Sequence, residues 1–106
     1  MSYSVSPADI LTTMAESLVA QQRCASIEEA LWELALSAVQ SKITYYRRRI
    51  SRLKRKYAAD LEAFTARLQG RATPVEEDDW FAWRSAERML TDWQQAYRDL
   101  VNARPR

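Results

Sequence analysis

Apolar residues recur every three or four positions along most of the chain. From Ile27 the series runs through Leu31, Leu34, Ala38, Ile43, Tyr46, Ile50, Leu53, Tyr57, Leu61, Phe64 and Leu68. That spacing belongs to one face of an α-helix, not to the alternation of a strand. Ser26, followed three residues later by Glu29, reads as a capping box at its start. No proline or glycine follows until Gly70, so the pattern predicts one very long central helix over residues 26–69, roughly 66 Å of rod. Within it, Leu53, Tyr57 and Leu61 step by four twice, which resembles a stutter in a coiled-coil seam.

A shorter helix is expected before it, within residues 1–25. Ser6 is placed as its N-cap, Pro7 has the φ of a first helical residue, and Asp9 complements the positive helix end. Ile10, Leu11, Met14 and Leu18 form its apolar face and Arg23 lies near its end. After Gly70, a C-cap residue, Thr73-Pro74-Val75-Glu76 opens a helix over residues 74–103 with a second capping box. Trp80, Trp83, Leu90, Trp93, Tyr97 and Leu100 lie on one side of it. So short a connection makes the last two helices an antiparallel hairpin in a single all-α domain.

Counting back from the turn pairs residues whose numbers sum to about 145. Trp80 then faces Phe64 and Thr65, and Trp93 faces Arg52 and Leu53. The C-terminal helix should reach back only to about Lys42. Ile27, Leu31, Leu34, Ala38 and Val39 would then need cover from the first helix and from a second copy, which predicts a homodimer interface at Ile27, Leu31, Leu34 and Ala38.

Charge adds a second pattern. Arg47 to Lys56 reads RRRISRLKRK, seven cations in ten positions, and no carboxylate occurs between Glu33 and Asp60. At about 100° per residue, Arg48, Arg52 and Arg55 fall opposite the apolar seam, with Arg47 and Lys56 flanking them. The net charge is only +2, so this is a local stripe. It suits phosphates or an acidic protein, and equally a solvated face whose arginine stems cover tryptophan rings. The stripe offers only Tyr45 on its outer side for stacking a base, fewer aromatics than single-strand binders use.

The second candidate site is acidic and aromatic: Glu77, Asp78, Asp79, Trp80 and Phe81. The carboxylates complement a helix N-terminus. Phe81 lies about 100° round from Trp80, so the two cannot share one core face, and an exposed aromatic near a charged rim is a common interface anchor. No second acidic cluster completes a cage for a metal.

Catalysis finds little support. The chain has no histidine and one glycine, which removes the commonest acid–base group and any glycine-rich phosphate loop. Cys24 lacks an activating partner and reads as a small hydrophobe. No catalytic, metal or cofactor residues are expected. One cysteine, no long apolar run and no signal-like start point to a cytoplasmic protein without membrane contact. The scarcity of glycine also argues against a sheet protein, which needs it at turns.

Residues 42–100 resemble small helical antitoxin-like proteins of bacterial and archaeal toxin–antitoxin pairs. The resemblance rests on the basic amphipathic helix with Lys56-Tyr57, then Phe64 and Arg67. It continues through Glu77-Asp78-Asp79, Trp83, Leu90 and Trp93. Ser26-Ile27-Glu28-Glu29-Ala30-Leu31 is also similar to the second helix of ParD-type antitoxins. The resemblance implies a non-enzymatic, often dimeric protein that neutralises a toxin, commonly a ribonuclease, by binding it. Some such families also bind DNA through an N-terminal strand, here confined to Tyr3-Ser4-Val5. The residues themselves leave three readings: a protein-binding module, a nucleic-acid-binding hairpin using the stripe, and a homo-oligomeric coiled-coil scaffold.

Overall fold

The computed structural model describes residues 6–105, and among them there are four α-helices and no strand: α1 (Pro7–Ala20), α2 (Ile27–Tyr57), α3 (Leu61–Leu68) and α4 (Pro74–Ala103). Tyr3-Ser4-Val5 lies outside the described residues. The expected caps form. Ser6 Oγ accepts from the Asp9 N–H at 3.1 Å, and the Asp9 carboxylate accepts from the Ser6 N–H at 3.4 Å. Thr73 and Glu76 make the same reciprocal pair at 3.2 and 3.0 Å. Ser26 accepts from the Glu29 N–H at 3.1 Å, while Glu29 reaches one residue further back, to the Ala25 N–H at 3.2 Å. The first helix ends at Ala20, earlier than Arg23, because Gln22 turns into the left-handed region at φ 59°.

The single rod over residues 26–69 does not form. The chain breaks after Tyr57, where Ala58 adopts φ 48° and ψ 44°. Ala58 and Ala59 both donate their N–H to the Lys54 carbonyl, a left-handed cap closing the helix. Arg67 Nη1 donates to the Tyr57 carbonyl at 2.9 Å, and Asp60 caps α3 by accepting from the Ala63 N–H at 2.8 Å. Lys54, Arg55 and Lys56 occupy the last turn of α2, where cations meet the negative end of the helix dipole.

The break exists because of what it brings together. Bending lets Phe64 stack between Tyr57, with ring centroids 4.0 Å apart, and Trp83, at 5.5 Å. Phe64 and Trp83 are essentially solvent-free and form one core with Ile50, Leu53 and Ala86. A straight helix would carry Phe64 on along the α2 axis and away from this cluster.

The bend also sets two registers along α4. Trp80 Nε1 donates to Thr65 Oγ1 at 2.8 Å, as the count of 145 expects. Along α2, however, Lys56 meets Asp79, Gln40 meets Tyr97 and Glu33 meets Arg104. Those pairs sum to 135 or 137, and Leu53 accordingly packs with Trp83, not Trp93. The offset has a simple cause: α3 turns aside, so its length no longer separates α2 from the hairpin turn. The C-terminal helix therefore extends well past Lys42, with Arg104 Nη1 2.8 Å from Glu33.

Ala15 of α1 and Ala30 of α2 are fully buried, and those two helices pack together. The molecule as a whole is elongated, 58 by 43 by 21 Å, with a radius of gyration of 19.6 Å.

Candidate functional site

The acidic-aromatic segment lies in the first two turns of α4, opposite α3, and the fold divides it. Asp79 faces inward: its Oδ2 accepts from Lys56 Nζ at 2.7 Å and from the Tyr57 hydroxyl. The Lys56 hydrogen bond, reinforced by Tyr57, holds the Asp79 carboxyl below its ordinary range. Burial, then the Asp79 contact, pushes the Tyr57 phenol up, and the Asp79 hydrogen bond raises Lys56. Asp79 is thus a clasp between α2 and α4, and Lys56 leaves the basic stripe to serve it.

Trp80 is half-buried, fixed by Thr65 and covered on one face by the Arg84 guanidinium 5.3 Å from its ring centre. Glu77, Asp78 and Phe81 point outward. Phe81 is 62% exposed although its ring meets Trp80 edge-on at 5.0 Å. Together with Thr65, Leu68, Gln69 and Ala72, the residues Glu77, Trp80 and Phe81 line an open groove of about 410 Å³. Its walls are mostly apolar and its carboxylate lies at the rim. Of the five predicted residues, three therefore present this groove while Asp79 and one edge of Trp80 hold it in place. Sequence reasoning did not name the facing wall of Thr65, Leu68, Gln69 and Ala72, although the count of 145 already sets Thr65 opposite Trp80 and Leu68 opposite Glu77.

The basic stripe lies on the outer face of α2. Arg47, Arg48, Arg52 and Arg55 are exposed and have no ion-pair partner among the described residues. Arg49 is partly covered and donates to the Tyr45 hydroxyl at 3.1 Å. Two grooves flank this part of α2. One, about 480 Å³, is lined by Ser41, Thr44, Tyr45, Arg48, Arg49 and Arg52. The other, about 660 Å³, lies between α2 and α4 and adds Arg47, Gln94, Tyr97 and Arg98 to Gln40, Ile43 and Thr44. Sequence reasoning named no α4 residue beside the stripe, although the count of 145 already sets Arg98 opposite Arg47.

Of the predicted dimer residues, Ile27 and Leu31 remain 43% and 37% exposed. Leu34 is half-buried and Ala38 is exposed. Ile10, Leu11 and Met14 of α1 are also exposed, so the apolar surface at this end is shared by two helices. No helix among the described residues is long and apolar enough to cross a membrane. Set against known proteins, the chain matches no family model, no curated protein and no solved structure.

Proposed function

We propose that the chain is a non-catalytic, antitoxin-like interaction module that neutralises a partner protein by binding it. The observation that carries this reading is the groove beside Phe81: an exposed aromatic ring on an apolar wall, with Glu77 at its rim and the exposed Asp78 next to it in sequence. Burying such a ring gives an interface its anchor. Carboxylates beside an apolar groove favour a partner with a basic surface and an apolar knob, such as a ribonuclease-type toxin around its substrate channel.

The proposed protein acts as a homodimer. A compact chain of about 100 residues has a radius of gyration near 13 Å, against 19.6 Å here. Its exposed surface is 8206 Å², where a compact monomer of this mass exposes about 6,100 Å². The excess exceeds the share each subunit contributes to a standard interface, about 800 Å². Ile10, Leu11, Met14, Ile27 and Leu31 supply apolar surface for such a seam.

Co-expression with the product of the neighbouring reading frame tests the main reading. The two proteins should co-purify, and Phe81→Ala should weaken the complex about 30-fold, as loss of an interface anchor does. Glu77→Lys with Asp78→Lys should weaken it further. Recovery of the chain free of that protein, or full affinity retained by both variants, would reject the reading.

A further inference from the structure

Apart from Arg23 and Arg88, which are exposed without an ion-pair partner elsewhere among the described residues, and Arg49, which donates to Tyr45, the described arginines divide into two groups by what they touch. Arg67 and Arg71 donate to backbone carbonyls, Arg84 covers Trp80, Arg104 pairs with Glu33, and Arg98 donates to Gln95 while also lining the groove between α2 and α4. Arg47, Arg48, Arg52 and Arg55 have no such partner among the described residues. Four like charges within three turns repel one another, and Glu87, Asp92 and Asp99 of α4 neutralise none of them. The fold leaves this charge available.

We infer that the two grooves flanking Thr44 form a track for the phosphate backbone of a nucleic-acid duplex. Thr44 lines both grooves, so they meet across α2. Their polar lining is guanidinium, amide and hydroxyl, the groups that contact phosphate and sugar. From Ser41 to Arg55 the row is about 21 Å long, the length of about six steps along a nucleic-acid strand. Arg98 and Gln94 extend it sideways onto α4.

Two further observations choose this occupant over others. Tyr45, 52% exposed, is the one large hydrophobic on this stretch of α2 that is exposed. A protein partner would be expected to find an apolar anchor here, whereas backbone recognition needs none and tolerates a wet, highly charged contact. One tyrosine is also too few for the stacking on which single-strand binding relies. The track is separate from the Phe81 groove in its residues, so the inference stands whether or not a protein partner docks there.

The test is fluorescence anisotropy with a labelled 20-base-pair DNA duplex, titrated with the full chain at several salt concentrations. Engagement of Arg47, Arg48, Arg52, Arg55 and Arg98 predicts a log–log salt slope of about −4.5, or roughly 500-fold weaker binding between 50 and 200 mM salt. Arg48→Gln, Arg52→Gln and Arg55→Gln together should lower the slope by about 2.7, and Arg98→Gln alone by about 1. The unfolding midpoint of each variant, unchanged from the parent, confirms that the fold is intact. Thr44→Glu, which sets a carboxylate between the grooves, is an independent variant and should weaken binding at least about tenfold. Absence of duplex binding at 50 mM salt overturns the inference. So does equal affinity for polyglutamate or tighter binding of single strands, and so does a slope unmoved by the triple change or by Arg98→Gln.

Discussion

Ala58 carries more of this fold than its small side chain suggests. A left-handed φ of 48° at a non-glycine residue costs about 1–2 kcal/mol. Ala58→Gly should therefore stabilise the protein by about 1 kcal/mol, read as a shift in denaturant midpoint, and Ala58→Val should destabilise it. Trp83 lies at the other extreme, with no exposed surface. Trp83→Ala should cost about 3–5 kcal/mol, while Trp83→Phe should lose much less. Its Nε1–H is buried without an acceptor, so removing that donor offsets part of the lost packing. Asp79 links the fold to pH. Its carboxyl is held low by Lys56, so its stabilising effect is present above the ordinary carboxylate pKa and fades as pH falls through the lowered one. Tyr57 and Lys56 are both raised, so their effect is complete below their ordinary values and is lost as pH climbs through the raised ones. Asp79→Asn should flatten both flanks of a midpoint-against-pH profile.

At the scale of elements, what the sequence discloses is what local chemistry decides. Ser6, Ser26 and Thr73 cap their helices because a cap needs only its own hydroxyl and an amide three residues on. The hairpin follows from Gly70 and Thr73-Pro74 for the same reason. The break after Tyr57 was hidden because Ala58 and Ala59 are the best of helix formers, and the preference is overridden by the packing of Phe64 against Tyr57 and Trp83. One local sign was present: Asp60 is an ordinary N-cap residue, and it caps α3. Asp60→Ala should cost about 1 kcal/mol, measurable by urea unfolding. The same logic separates the site residues. That Trp80 and Phe81 cannot share the core could be read from the angle between them, but the engagement of Asp79 by Lys56 depends on how α2 and α4 slide together. No local rule gives that offset.

The molecule as a whole is long and thin, with most of its large core side chains around the bend. Its α1 end buries only the small Ala15 of that helix and leaves Ile10, Leu11 and Met14 exposed. If that surface joins two copies, sedimentation should show a dimer at micromolar concentration. Leu31→Asp should then give monomers whose α4 hairpin still melts cooperatively. A purely monomeric parent at high concentration would remove the dimer.

The bend at Ala58 also has a history within each molecule. During synthesis, α2 and α3 emerge before α4, and until Trp83 exists nothing rewards Phe64 for turning aside. Two alanines at the junction then favour a continuous helix. The chain should begin as a straight rod and acquire its hinge only when the last helix docks. A peptide spanning residues 26–70 should accordingly show helical amide couplings straight through Ala58, and adding the missing helix as a separate peptide should bend it.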